Sequence, residues 1–329
     1  MKGLFLNTNW AYLIDSRSFD ESRYRGYTHA PAIKFTNGNE QQIAVNKTMD
    51  ILLAAIKEFR RDEIRYIEWT LNEITDNVIN HSQSKVGGFV QVTNYRQRGQ
   101  IELTVADAGV GIPKTLRDAN SLLKSDSEAL ADAIKEGVTR DSKIGQGNGL
   151  YGTWKITRQS KGDLNIYSGY STLISTPNSV QILTERIPVI GTLVSAKIGY
   201  SDTVDLSDAL TFKGKVHEPT DYIDAHFDQD KEGNIKFILK SETSGFGSRV
   251  AGEPVRRKLK NLVGCLNGGQ IIIDAEGVPF VSSSFADEVF GKLFLELGAL
   301  TFSAKIKMIN LDKLVAGLID KAIMQRMRQ

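Results

Sequence analysis

The strongest periodic pattern of apolar positions lies between residues 61 and 82, where apolar side chains recur at intervals of three and four residues. These positions are Ile64, Ile67, Leu71, Ile74 and Val78. Because an α-helix has about 3.6 residues per turn, this spacing places them on one stripe and predicts an amphipathic helix with one buried side. A further apolar segment at 49–60 predicts a helix immediately before it.

Three polar residues, Glu73, Asn77 and His81, lie outside this stripe and follow one another at intervals of four. Positions four apart on a helix differ by only about 40° around its axis, so these side chains share one side of the helix. That side can face a ligand while the apolar stripe faces a sheet. Considered alone, such residues are more often an exposed polar surface, and a single histidine is more often structural.

The remainder of the first 200 residues predicts a sheet with a long insertion. Two strand-like runs at 88–95 and 100–106, with a turn at 96–99, predict a hairpin. The polar segment 114–144, with a helix predicted at 127–136, has the length of a lid. After it the pattern predicts a helix at 150–160, a strand at 163–168, a loose segment at 169–180 and a strand at 191–198.

Beyond residue 200 the pattern changes to alternating strands and helices. Strands are predicted at 235–240, 270–274 and 305–310, and helices at 254–265, at 285–297 and from 311 onward. This alternation predicts a small α/β domain with helices packed on a sheet. We therefore expect four regions, which are an N-terminal segment 1–44, a first domain 45–200, a polar linker 201–233 and a second domain 234–329.

Composition and charge exclude several classes of function. The 329 residues include 41 Lys plus Arg and 39 Asp plus Glu, a net charge of +2, which gives no strong signal for nucleic acid. A single cysteine, Cys265, excludes an intrachain disulfide, and four histidines give no Cys/His metal cluster. Because no segment has the length and apolarity of a signal peptide or membrane span, we expect a cytoplasmic protein without membrane contact.

Two glycine-rich motifs follow the polar helix. The first runs from Asp107 to Gly111 (Asp-Ala-Gly-Val-Gly) at the end of a strand, and the second from Gly145 to Gly149 (Gly-Gln-Gly-Asn-Gly) before a helix. Glycine allows close approach of backbone to phosphates, and the first amides of a helix attract negative charge. At a strand end beside glycines, the Asp107 carboxylate can reach the edge of a base. Singly, each motif also fits an ordinary turn or loop.

The order of these motifs predicts a site for ATP and Mg²⁺. Mg²⁺ keeps several waters and takes few protein oxygens, so the side-chain amide of Asn77 together with phosphate oxygens is a suitable ligand set. Glu73, one turn earlier, can deprotonate an attacking water or hydroxyl. Because the acid–amide helix, the DxGxG strand end, the long insertion and the GxGxG helix start occur in sequence, coincidence is the minor interpretation.

These motifs resemble those of the GHKL superfamily of gyrase, heat-shock chaperone, histidine kinase and MutL-type ATP-binding domains. The first motif is similar to that of the anti-sigma-factor serine kinases. The resemblance covers about residues 45–200 and implies a two-layer Bergerat α/β sandwich. It implies Glu73 as general base, Asn77 as the Mg²⁺ ligand and Asp107 as the acceptor for adenine. It further implies nucleotide contacts by His81, Gly109, Gly111, Ile112, Gly145, Gly147, Asn148, Gly149, Leu150 and Thr192.

The second domain resembles the STAS domain of anti-sigma-factor antagonists, on the basis of the strand 271–274, the run 280–284 and the apolar helix after it. In that family a serine at the start of this helix can be phosphorylated by the partner kinase, and the matching position is Ser283. Ser282 replaces the family's aspartate and Phe285 its glycine, so "STAS-like" is the appropriate name. A capping box of Ser284 with Asp287 is the competing interpretation of this sequence.

Three functions fit this combination. We favour an ATPase that acts as a nucleotide-driven regulatory switch, with Glu73 activating water and the 114–144 insertion coupling nucleotide state to the STAS-like domain. The alternatives are a serine/threonine kinase of the anti-sigma type, in which Glu73 activates a protein hydroxyl, and a nucleotide-gated binding module without catalysis. The fusion suggests regulation in cis, a regulatory protein partner is expected as well, and the resemblance implies a homodimer.

A sensor histidine kinase is disfavoured because no helical hairpin with a phosphoacceptor histidine precedes the first domain. His217, followed by Glu218 and Pro219, lies after that domain in a loop-like stretch. A DNA clamp of the MutL kind is also disfavoured, since no separate lysine-bearing transducer domain is evident.

Overall fold

The structure of the chain is a computed structural model that describes residues 6–22, 28–138, 147–200, 203–227, 230, 232–243 and 245–328. The chain forms two compact units, each built from two separate segments. The first unit comprises Met1–Met49 and Arg65–Pro219, and the second comprises Asp50–Ile64 and Thr220–Gln329.

The first segments of the chain contribute α1 (Trp10–Ile14), β1 (Ile33–Phe35), α2 (Gly38–Ala55), α3 (Arg61–Asn77), β2 (Gly88–Tyr95) and β3 (Gln100–Asp107). A π-helical turn, Val78–Ser82, directly follows α3. The first unit continues with α4 (Ile112–Ala119), α5 (Asp126–Ala133), α6 (Gly149–Gln159), β4 (Leu164–Ser175), β5 (Val180–Gly199), α7 (Leu206–Ala209), β6 (Thr211–Phe212) and β7 (Lys215–Val216).

A five-stranded antiparallel sheet organises the first unit, with the strand order β1-β2-β3-β5-β4. The predicted hairpin of β2 and β3 is confirmed, and its turn ends at Gly99 with a φ of +60°. β3 also pairs with β5, in a register that sets Asp107 opposite Thr192. This register places the first glycine motif beside Thr192, one of the predicted nucleotide contacts.

The amphipathic helix predicted at 61–82 is confirmed as α3 with its π turn. The five residues of the predicted apolar stripe are 0–5% exposed. Tyr66 on the same helix donates a hydrogen bond of 2.9 Å from its hydroxyl to the carbonyl of Gly199 at the end of β5. The stripe therefore belongs to the core, and the polar residues between its members are left to face elsewhere.

The first predicted helix has different limits from those expected. It was expected at 49–60, but α2 begins at Gly38 and ends at Ala55. The first turns of this helix contain mainly polar residues, so the pattern of apolar positions does not indicate where the helix begins. Its start is fixed locally, because Asn37 Oδ1 accepts a hydrogen bond of 3.0 Å from the Glu40 amide and the Glu40 carboxylate accepts one of 2.7 Å from the Thr36 amide.

The prediction that 169–180 is a loose segment is wrong, because most of it belongs to the long hairpin of β4 and β5. Three of its four buried positions in 171–175 are polar, because Ser171, Thr172 and Ser175 are buried beside Leu173. Ser127 on α5 lies 2.8 Å from Ser171, hydroxyl to hydroxyl, and this contact satisfies a buried polar group. Such strands lack the apolar alternation on which a sequence prediction depends.

The second unit contains α8 (Tyr222–His226), β8 (Ile235–Ile238), α9 (Arg249–Cys265), β9 (Ile271–Asp274), α10 (Ser283–Ala286), a π turn (Asp287–Gly291), α11 (Lys292–Leu297), α12 (Ala299–Lys305), β10 (Ile306–Ile309) and α13 (Lys313–Met327). Its three strands are parallel, in the order β10-β9-β8. The apolar run that starts β9 fits a central parallel strand covered on both faces. The predicted small α/β domain is confirmed.

The segment Asp50–Ile64, which the sequence assigned to the first domain, belongs to the second compact unit. Asn261 on α9 holds it there: the side-chain amide donates to the carbonyls of Leu53 and Ile56, at 2.8 and 2.9 Å, and its oxygen accepts from the Phe59 amide at 3.1 Å. The predicted linker is also divided, because its residues up to Pro219 belong to the first unit. The limits of the compact units thus differ from the domain limits inferred from the sequence. Those domain limits stay a prediction.

No helix in the part of the chain that the structure describes has both the length and the apolar composition needed to cross a bilayer.

Candidate functional site

A cavity of about 320 Å³ lies within the first unit and is lined by most of the residues that the motifs singled out. The predicted residues that line it are Glu73, Asn77, His81, Asp107, Gly111, Ile112, Gly147, Asn148, Gly149, Leu150 and Thr192. Gly109 lies next to this set without lining the cavity, and Gly145 lies outside the described residues. The fold therefore brings separate sequence motifs into one concave site.

The polar side of α3 and its π turn forms one wall of the cavity. Glu73, Asn77 and His81 all line it, as their four-residue spacing predicts. Asp76 and Asn80 line it as well and were missed by the sequence reasoning. Each follows a predicted residue by three positions, so the three-residue spacing of helix neighbours was the signal available for finding them.

The pKa of Glu73 lies near neutral pH, as a general base requires. Burial and, to a smaller extent, the neighbouring Asp76 carboxylate raise the pKa of Glu73 from its ordinary value of 4.5 to about 7. Burial also raises the pKa of Asp76. Because a base is most effective when its pKa lies near the working pH, Glu73 is suited to accept a proton from a bound water or hydroxyl.

The Glu73 carboxylate lies directly against the start of α6. A Cβ atom added to Gly149 would overlap Glu73 Oε2 and would lie 3.2 Å from Cδ. Glycine at this position therefore lets the carboxylate and the first turn of α6 come together. Asn148, which precedes the helix, makes no side-chain capping hydrogen bond to it. The first backbone amides of α6 are thus left without a side-chain cap and are available to an anion.

Asp107 has its carboxylate fixed by backbone amides at the end of β3. Its Oδ1 accepts a hydrogen bond of 2.7 Å from the amide of Gly109. Burial raises the pKa of Asp107, while hydrogen bonds from the amides of Gly109 and Thr192 act in the opposite direction. Val110 then donates its amide to the carbonyl of Ser82 at 2.8 Å, which ties this turn to the π turn after α3.

A buried serine, Ser168, connects the two turns at this end of the cavity and was missed by the sequence reasoning. Its hydroxyl donates to the carbonyl of Gly191 at 2.8 Å and accepts from the amide of Ile112 at 3.0 Å. It also lies 3.1 Å from the hydroxyl of Thr192. No local pattern distinguishes this serine from others in the strand, because its partners come from distant parts of the chain.

The described part of the predicted lid, residues 114–138, lies beside the cavity, and the rest of that prediction lies outside the described residues. α4 and α5 pack together through Leu116, Ala129 and Ala133, and Leu150 of α6 packs against the same cluster. Gly137 and Val138, at the end of this described part, are called the neck, and the amide of Gly137 donates to Asn148 Oδ1 at 3.1 Å. Helix α4 was not predicted. The neck residues thus adjoin the second glycine motif directly.

Glycine is required at position 147, where the second glycine motif contacts the neck. Its φ of +73° is strained for any other residue, and an added Cβ would lie 2.6 Å from the backbone carbon of Val138.

In the second unit, Ser283 is exposed at the first position of α10. The cap of this helix is Ser282, whose hydroxyl accepts a hydrogen bond of 3.0 Å from the amide of Phe285. The predicted capping box of Ser284 with Asp287 is wrong, because the helix begins earlier and Asp287 pairs instead with Arg326 at 2.7 Å.

Cys265 is buried, and burial raises the pKa of its thiol to about 12, as expected for a structural cysteine.

Comparisons with known proteins agree with this architecture. Residues 62–192 match the family described as "Histidine kinase-, DNA gyrase B-, and HSP90-like ATPase", and residues 251–316 match the "STAS-like domain of unknown function (DUF4325)". None of the curated proteins matches the chain. With the antiparallel sheet of the first unit and the parallel sheet of the second, these matches confirm an ATP-binding domain of the GHKL type followed by a STAS-like domain.

Proposed function

We propose that this chain, which carries a GHKL-type ATP-binding domain followed by a STAS-like domain, is a Mg²⁺-dependent ATPase whose nucleotide state acts as a regulatory switch. One observation carries the proposal, namely that Glu73 faces the cavity beside the second glycine motif with a pKa of about 7. At neutral pH a large fraction of such a carboxylate is ionised and can take a proton from water as water attacks the terminal phosphate.

The residues present fit a nucleotide with its metal ion. Asn77 makes no capping hydrogen bond, so its side-chain oxygen is available in the cavity. Such a single oxygen suits Mg²⁺, which takes one or two protein oxygens together with phosphates and waters. When bound, the ion would offset the negative charge of the phosphates.

The two ends of the cavity supply different parts of nucleotide recognition. Asp107, fixed by the Gly109 amide, accepts a hydrogen bond from the amino group of adenine, and Thr192 supports it through the Ser168 network. The uncapped amides at the start of α6, from Gly149 onward, receive the phosphates. His81, Gly111 and Ile112 line the space between these parts.

A serine/threonine kinase is the second candidate, and the exposure of Ser283 favours it. The hydroxyl of Ser283 is not used as the cap of its helix, because Ser282 fills that role. Phosphate at the start of a helical segment is electrostatically favourable. In this function Glu73 would accept the proton of a serine hydroxyl rather than that of water. A regulatory protein partner and a homodimer also form part of the proposal.

Labelled Mg-ATP separates these functions. The full-length chain is incubated with γ-labelled ATP, and free phosphate and labelled protein are quantified for the wild type, Glu73→Ala and Ser283→Ala. We expect free phosphate from the wild type and from Ser283→Ala, and at least about a hundredfold slower release from Glu73→Ala with ATP binding retained. Label on Ser283 or on a co-purified protein would favour the kinase, and binding without either product would favour a non-catalytic module.

A further inference from the structure

The segment 203–219 lies beyond the ATP-binding match, which ends at 192, yet belongs to the same compact unit as the cavity. Side chains of α6 hold it in place. Gln159 accepts a hydrogen bond from the Asp205 amide at 2.9 Å and donates one to the Asp208 carboxylate at 2.7 Å. Lys155 pairs with the same carboxylate at 3.2 Å. The sequence predicted this segment as a linker, but these contacts attach it to the first unit.

The hairpin of β6 and β7 uses Phe212 to pack against the helices around the cavity. Its turn residues, Lys213 and Gly214, have φ values of +48° and +74°, as a two-residue hairpin turn requires. Phe212 is 7% exposed and lines the cavity. A Cβ added to Gly152 would overlap the Trp69 ring and lie 3.2 Å from the Phe212 ring. Gly152 thus leaves room for both aromatic rings.

This packing locates the hairpin at the Glu73 end of the cavity. Trp69 precedes Glu73 by one turn on α3, and Gly152 follows Gly149 by about one turn on α6. Glu73 and Gly149 are themselves in direct contact. The hairpin therefore packs next to the two residues that mark the phosphate end under the proposed function, rather than near Asp107 at the other end.

His217 directly follows β7 and lines the same cavity with an exposed side chain. Its backbone amide donates to the carbonyl of Leu210 at 2.9 Å, which fixes the residue relative to the hairpin. Among the described residues that line the cavity, only His81 and His217 have side chains able to carry positive charge, whereas Glu73 and Asp76 bring two carboxyl groups. A phosphate near those carboxyl groups needs N–H donors, and imidazole supplies one in either protonation state.

The turn of the hairpin also contacts the neck of the predicted lid. The amide of Lys213 donates to the Glu136 carboxylate. A Cβ added to Gly137 would lie 3.3 Å from Lys213 Cε. Since the Gly137 amide bonds to Asn148 in the second glycine motif, the hairpin, the neck and that motif adjoin one another. A ligand bound to His217 would therefore influence the position of the hairpin, of the neck and of the second glycine motif.

We propose that His217 donates a hydrogen bond to the terminal phosphate of a bound nucleoside triphosphate, so that the β6–β7 hairpin distinguishes triphosphate from diphosphate. The inference rests on the proposed function only in placing the phosphates at the Glu73 end of the cavity. A diphosphate has no group at the terminal position and so gains nothing from His217. The hairpin is thereby the part of the unit that responds to nucleotide state.

Calorimetric titration of the full-length chain with Mg-ATP and with Mg-ADP tests this role. All proteins carry Glu73→Gln so that ATP is not consumed during the titration. We expect His217→Ala to weaken ATP binding roughly tenfold while ADP affinity stays within about twofold, which also shows that the fold is intact. His217→Gln, which keeps an N–H donor, should recover part of the loss. Lys215→Ala, an exposed neighbour on the same hairpin, should leave both affinities unchanged.

Equal weakening of ATP and ADP in His217→Ala, or no weakening of either, would overturn the inference. Acid-labile label on His217 after incubation of the wild type with γ-labelled ATP would also overturn it, because the imidazole would then be a phosphate acceptor. The ATPase proposal is judged separately by phosphate release. A clear His217 effect without phosphate release removes only the ATPase, and release without a His217 effect removes only this inference.

Discussion

Asp107 shows how the surroundings of a single carboxylate define its role. In Asp107→Asn the side-chain oxygen can still accept from Gly109, but an NH₂ group replaces the second oxygen and would oppose the amino group of adenine. We expect ATP affinity to fall roughly ten- to hundredfold, measured by calorimetry. Asp118→Asn, at an exposed position on α4, serves as the control with unchanged affinity. Wild-type affinity in Asp107→Asn would remove Asp107 as the adenine acceptor.

The raised pKa of Glu73 also predicts how stability depends on pH. The folded state holds this proton up to about pH 7, whereas the unfolded state releases it near the ordinary value of 4.5. Stability of the wild type therefore falls as pH rises between these values, while Glu73→Gln, which cannot ionise, escapes this loss. Without nucleotide, we expect Glu73→Gln to gain about 3 kcal/mol relative to the wild type between pH 4 and pH 8.

Thermal melting of both proteins across this pH range measures the gain. A difference between wild type and Glu73→Gln that stays constant with pH would show that Glu73 titrates normally in the folded protein.

At the scale of elements, the start of α6 couples backbone shape to the position of the proposed base. In Gly149→Ala the new Cβ would overlap the Glu73 carboxylate, which can move because it ends a flexible side chain. We expect phosphate release to slow roughly ten- to hundredfold through this displacement, with a stability change below about 1 kcal/mol. Gly38→Ala is the matched control, because Gly38 is the first residue of α2 and nothing lies within 4 Å of the added atom. Wild-type turnover in Gly149→Ala would contradict the role of this contact.

Elements with a clear apolar period were predicted well, and elements defined by polar contacts were not. The stripe of α3 and the hairpin of β2 and β3 carry strong local patterns, and both are confirmed. The β4–β5 hairpin buries serine and threonine hydroxyls, whose partners lie on α5, α6 and the paired strand and cannot be inferred from neighbouring residues. The short strands β6 and β7 each contain only two residues, too few to show a period.

At the scale of the whole molecule, the two compact units interleave along the chain, and Asn261 is a main reason. Removing its three buried hydrogen bonds leaves the Leu53 and Ile56 carbonyls and the Phe59 amide without their partner side chain. We expect Asn261→Ala to destabilise the second unit by about 3 kcal/mol, measured by denaturant unfolding. The neighbouring Lys260→Ala, which removes only peripheral ion pairs, should cost less than about 1 kcal/mol. Equal losses in the two variants would show that Asn261 does not anchor Asp50–Ile64.

The sequence by itself determined the two kinds of domain and most of the candidate site. Acid, amide and glycine residues at fixed local spacings identify an ATP-binding motif set, and helix geometry alone places Glu73, Asn77 and His81 on one side. Only the tertiary structure decided that Ser168 links the turns at the Asp107 end of the cavity, that His217 reaches the cavity, and that Asp50–Ile64 belongs with the second unit. The reason is physical: these roles depend on contacts between residues distant along the chain, and such contacts leave no periodic signal in the residues themselves.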